Sequence, residues 1–139
     1  MVFAEQDRIT PLKNEHKGIT RQLGVVRGEL TASPPSDQLQ QSIDRLESLV
    51  GKHFTGEEES LYKPLKLRLG RKNSVDVMTQ EHKTIRKTLR ELRSSLARCK
   101  ADSSRVGELR SCFDSLQREL GEHIEREETV VFWLADLKL

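Results

Sequence analysis

Residues 75–96 read VDVMTQEHKTIRKTLRELRSSL. Apolar side chains fall at Val75, Met78, Ile85, Leu89, Leu92 and Leu96, and His82 fills the gap between Met78 and Ile85. The intervals alternate between three and four. At 3.6 residues per turn this gathers all seven on one helical face, which a strand with its period of two cannot do.

The same reading extends along the chain. A first stripe runs Leu12, His16, Ile19, Leu23, Val26, Leu30, and a second runs Leu39, Ile43, Leu46, Val50, His53, Glu57. A fourth runs Val106, Leu109, Phe113, Leu116, Leu120, His123, Glu127, Val130, Leu134. Punctuation separates them. Thr10-Pro11 reads as an N-cap followed by proline in the first turn. TASPPSD (31–37) reads as a loop with Ser36 capping the second helix, LGRKNS (69–74) as a break, and KADSS (100–104) as a break with Asp102 or Ser103 as cap. Short connections between long helices predict an all-α fold, an up-down-up-down antiparallel four-helix bundle. Pro64 predicts a kink, or an end to the second helix just before it. Gly51 and Gly56 flank His53, and their role stays open between tolerated surface glycine and flexibility or close packing beside a site.

Composition agrees. The chain has 139 residues, long enough for one domain with a core spanning about residues 10–134. It is one-third charged with only six aromatic residues and four prolines, which disfavours a β-sandwich. A net charge of +2 gives no reason to expect nucleic acid or a membrane surface. The basic stretch KPLKLRLGRKN (63–73) reads as a solvated loop. No secretory or transmembrane run stands out, and Cys99 and Cys112 form no CxxC, so a cytoplasmic protein with two free thiols is expected.

The stripes are not purely apolar. They hold all four histidines, His16, His53, His82 and His123, together with Glu57 and Glu127. No lysine or arginine lies in any stripe to neutralise those carboxylates. An unpaired buried carboxylate costs several kcal/mol, and a metal ion removes the problem by supplying charge and taking the lone pairs. The set is written twice. EHKGITRQL (15–23) is echoed by EHKTIRKTL (81–89), and HFTGEEESLY (53–62) by HIEREETVVF (123–132). His53 and Glu57, like His123 and Glu127, are four apart and so one turn apart on one face. Each hairpin brings its own two histidines level. Between hairpins, His53 lies about five residues further than His82 from the intervening loop. Unequal helix ends or a distortion at Pro64 must absorb that offset.

This repeat, His…His-x-x-x-Glu written twice over nearly the whole chain, resembles the signature of the hemerythrin-like, or HHE cation-binding, family. The resemblance implies a hemerythrin-like bundle around two iron ions joined by an oxo or hydroxo bridge, with manganese or zinc as substitutes. It further implies that His16 and His53 hold one metal, that His82 and His123 hold the other, and that Glu57 and Glu127 bridge them. Oxygen-carrying members use a fifth histidine one turn before the position of His82. Here Met78 stands there and reads as core filling. Glu58 and Glu128, which follow the two stripe glutamates, either orient histidines or are solvated, and the solvated reading is preferred. Tyr62, nine residues after His53, falls on the opposite side of an ideal helix, so it receives no role.

The resulting expectation is a non-haem di-iron protein that binds or senses O2, nitric oxide or peroxide. Its partner is that small ligand, a protein partner stays open, and so does the choice between enzyme and sensor. The alternatives are an iron donor, store or repair protein, and a metal-free helical interaction module.

Overall fold

The computed structural model describes residues 7–32, 37–70 and 74–139. Four helical arms fill them. The first arm is α1 (Ile9–Thr31). The second runs without a break through α2 (Leu39–Glu57), a π-helical turn (Glu58–Tyr62) and α3 (Lys63–Leu69). The third is α4 (Ser74–Ala101). The fourth runs through a 3₁₀ turn (Ser103–Arg105), α5 (Val106–Arg126), a second π turn (Glu127–Val131) and α6 (Phe132–Lys138). Among the described residues there is no strand, and no helix is long and apolar enough to cross a membrane. The arms form the antiparallel four-helix bundle expected from the stripes, α1 packing on α2 and α4 on α5.

Helix ends are set locally. Asp7, not Thr10, caps α1: its Oδ1 accepts from the amides of Ile9 and Thr10 at 3.2 and 3.0 Å. An aspartate two residues before the helix reaches its orphan N–H groups, and Thr10 is already helical. Asp102 caps the 3₁₀ turn by accepting from the Ser104 amide at 3.1 Å. Gly70 closes the second arm at φ 79°, a conformation that a side chain would strain. Ser36 lies outside the described residues. A methyl group at Gly51 or Gly56 would meet nothing within 4 Å, so close packing does not explain these glycines. Cys99 and Cys112 are both free thiols.

Every stripe position from Leu12 to Leu96 in the first three arms is buried. The fourth is buried from Leu109 to Glu127, with Val106 at its start only partly buried. Val130 is 41% exposed, and Val131, Phe132 and Ala135 take the interior instead. The π turn is the cause. Its bonds run five residues back, from the Phe132 amide to the Glu127 carbonyl, so one residue is accommodated without advancing the phase. The second arm does the same where the Lys63 amide reaches the Glu58 carbonyl, and Leu61, Tyr62 and Leu65 are buried. Pro64 is not the origin, since the fourth arm makes the same turn without a proline; the second arm passes it and continues to Leu69. The offset between hairpins is taken up by unequal ends. Sixteen residues separate His53 from Leu69, against eight between Ser74 and His82.

The slip divides the interior. A large apolar cluster, with Ile43, Leu92, Phe113 and Leu116 at its centre, fills the bundle on one side of the histidines. A smaller one, built from Leu12, Leu61, Tyr62, Leu65, Met78 and Phe132 among others, closes the other side. The polar stripe residues lie in the seam between them.

Candidate metal centre

All six stripe residues with metal-binding chemistry meet in that seam. His16, His53, His82 and His123 are at most 2% exposed, and Glu57 and Glu127 are fully buried. Their donor atoms form two groups, His16–His53–Glu57–Glu127 and Glu57–His82–His123–Glu127, within each of which the atoms lie within 4.8 Å of one another. Both carboxylates belong to both groups. Glu57 turns Oε2 to His53 Nε2 at 3.1 Å and Oε1 to His82 Nε2 at 3.2 Å. Glu127 turns Oε1 to His16 Nε2 at 2.8 Å and Oε2 to His123 Nε2 at 3.6 Å. Each carboxylate thus divides its two oxygens between two histidine pairs.

The second ring nitrogens explain the phrase Glu-His-Lys. Glu15, next to His16, reaches across its hairpin to His53 Nδ1 at 2.6 Å, and Glu81, next to His82, reaches His123 Nδ1 at 2.7 Å. Glu58 and Glu128 cross between hairpins, to His82 Nδ1 at 2.7 Å and His16 Nδ1 at 2.8 Å. A carboxylate accepts, so each Nδ1 carries the proton and Nε2 faces the seam. Of the two readings of Glu58 and Glu128, orienting a histidine therefore replaces the preferred solvated one. Glu15 and Glu81 were missed altogether. The signal was present: a glutamate stands beside a candidate donor four times, at matching places in the repeat.

Tyr62 is a second correction. On an ideal helix it would lie about 180° from His53, but the π turn brings it to about 80°. It is buried, with its hydroxyl 3.3 Å from His82 Nε2 and donating to Glu127 Oε2. The matching position in the fourth arm is Phe132, whose ring stacks on His16 with centroids 5.6 Å apart. Phe54 stacks on His82 at 3.6 Å. Met78 is buried in the small cluster, where its counterpart in the repeat is Leu12, in keeping with a packing role.

Left to themselves, the six side chains must share out charge in a dry site. Burial, with Glu127 alongside, pushes the Glu57 carboxyl well above the usual range. Burial acts on Glu127 too but is outweighed by its neighbours Glu57, His16 and His53, which hold it well below. Burial would lower His16, yet the carboxylates of Glu127, Glu57 and Glu128 beside it raise it to about 9. Burial and the neighbouring His123 take His82 down to about 4, and burial lowers His123 as well. Burial and the carboxylates of Glu57 and Glu127 raise the Tyr62 phenol. Even so, His53 Nε2 and both Glu57 oxygens are buried with no hydrogen-bond partner. Orphans of this kind are rare and costly in a folded chain, and imidazole with carboxylate is a donor set that a transition metal satisfies.

The model of the Hemerythrin HHE cation binding domain matches residues 7–135. The chain belongs to the hemerythrin HHE family. That match takes in both hairpins and all six seam residues of this HHE domain. No curated protein and no solved structure matches the chain.

Proposed function

We propose that this HHE domain binds two iron ions, one between His16 and His53 and one between His82 and His123, with Glu57 and Glu127 bridging them, and that it uses the pair to bind or sense O2, nitric oxide or peroxide. The observation that carries the reading is the division of each carboxylate between two histidine pairs. A mononuclear site needs no such division.

The chain's own residues have three tasks. The four outer glutamates fix the imidazole tautomers so that Nε2 points inward. Glu57 and Glu127 set the separation of the two positions. The apolar clusters on either side exclude water and hold the donors rigid. Each half offers two nitrogens and two oxygens, leaving about two positions of an octahedral ion for an outside ligand. Iron, when bound, supplies redox chemistry with diatomic and peroxide ligands. A metal-free interaction module leaves the orphaned His53 and Glu57 atoms without a reason.

The test is metal content with an absorption spectrum, under air and under nitric oxide. About two irons per chain are expected, with near-ultraviolet charge-transfer absorption that changes with nitric oxide. Anaerobically reconstituted protein with neither iron nor such absorption would sink the reading.

A further inference from the structure

The repeat makes the two halves look alike, but their surroundings differ. Glu58, behind His82, is held by both Arg86 terminal nitrogens at 2.9 and 3.3 Å, and Glu81, behind His123, by Arg126 Nε at 2.7 Å and a second nitrogen at 2.6 Å. These two carboxylates are 29% and 19% exposed. Glu15 and Glu128, behind His53 and His16, are 51% and 39% exposed, and among the described residues neither forms an ion pair with arginine or lysine. Two imidazoles are therefore clamped through a forked guanidinium, and two rest on side chains that water can pull away.

In the seam each half has one contact between its own donors, His16 Nε2 to Glu127 Oε1 at 2.8 Å in the first and His82 Nε2 to His123 Nε2 at 3.1 Å in the second. That spacing is close to the edge of an octahedron with donors about 2.1 Å from a metal. Tyr62 steadies Glu127 Oε2 on this side, whereas Phe132 brings no polar atom to the other.

We infer that the two positions fill in order: a divalent cation enters the His82–His123 half first and is held there more tightly, and the His16–His53 half is the later, exchangeable position. Arg86 and Arg126 act as positioning residues through Glu58 and Glu81. Their positive charge opposes a cation. Each is neutralised by the carboxylate that it holds and is in contact with water, so this repulsion is screened while the fixed geometry is not. The inference rests on the reading of the seam as a two-metal site.

Stepwise addition of Zn(II) to the chelator-stripped full chain, followed by the ring ¹⁵N signals of its four histidines, tests it. At one equivalent the Nε2 signals of His82 and His123 are expected to shift, with those of His16 and His53 following only during the second equivalent. The two affinities should differ about tenfold or more. In Arg86→Leu/Arg126→Leu the first equivalent should weaken by about 10- to 100-fold and the order should blur, with circular dichroism confirming the fold. Tyr62→Phe provides an independent, conservative variant that should narrow the gap. Four signals moving together, or His16 and His53 moving first, overturns the ordered filling while leaving the two-metal reading intact. An order untouched in both variants overturns the assignment to these residues. No ring shift at all overturns both readings.

Discussion

The interior on the two sides of the seam obeys different rules. The large cluster is built from uninterrupted α-helix, and every residue that the three-four spacing assigns to it from Ile19 to Leu96 is buried. The small cluster draws its second- and fourth-arm residues from within or beyond two π turns, and in the fourth arm the spacing points to the wrong residue: Val130 is exposed, and Val131 and Phe132 replace it. The large cluster needs only apolar volume on a face. The small one must also present Tyr62 and Phe132 to the histidines from helices that have just placed Glu57 and Glu127 one turn from His53 and His123. A five-residue turn satisfies both demands, since it stacks Tyr62 over Glu57 and Phe132 over Glu127. Such turns are frequent at functional sites for this kind of reason.

The difference can be broken most forcefully by shifting the phase that the turn sets. Inserting one alanine after Thr129 adds a residue that the π turn does not absorb, and should rotate Val131, Phe132 and Ala135 by about 100° and out of the interior. The expected loss is about 5 kcal/mol of stability, from two or three side chains at about 1.5–3 kcal/mol each, together with loss of iron. Iron binding that survives the insertion would show that this phase is not needed. Within the large cluster, Phe113→Ala should cost about 3–5 kcal/mol in chemical denaturation. Its iron content should be unchanged, because this region supports the seam without entering it.

At the seam the expected effect depends on metal. Iron present at 1,000 times its dissociation constant stabilises the native state by about 4 kcal/mol. In Glu57→Leu the difference in stability between iron-loaded and chelated protein should vanish, with the chelated variant at least as stable as the chelated parent. A variant still stabilised by iron would argue against Glu57 as a bridge. The smallest effect belongs to Met78→Leu, a volume-conserving change in the small cluster expected to cost less than about 1.5 kcal/mol with two irons retained. Loss of iron there would return Met78 to the list of candidate ligands.

The same contrast explains what could be read from the sequence. The bundle, its breaks and the six seam residues follow from periodicity alone, because His53, Glu57, His123 and Glu127 precede or begin the phase slip along their arms, and the arms of His16 and His82 have none. Tyr62 was misplaced because a π turn leaves no mark in a pattern of apolar residues. Its only trace is a shared interval of five, Glu57 to Tyr62 and Glu127 to Phe132. Glu58 and Glu128 were misjudged for another reason. A charged residue beside a buried one is usually in water, and only the crossing of the arms shows that each lies behind a histidine of the opposite hairpin. The arginine clamps join residues 28 and 45 positions apart, beyond the reach of any local pattern.

The four outer glutamates have one more consequence, in the arithmetic of electroneutrality. With Glu57 and Glu127 they bring six negative charges to the seam and its rim, and Arg86 and Arg126 return two positive ones. The balance of four matches two divalent cations, and its distribution matches as well. Around His82 and His123 the rim cancels itself, so a first cation, bound as proposed, would be compensated by the two central carboxylates. A second, beside His16 and His53, would be compensated by Glu15 and Glu128, which pair with no arginine among the described residues.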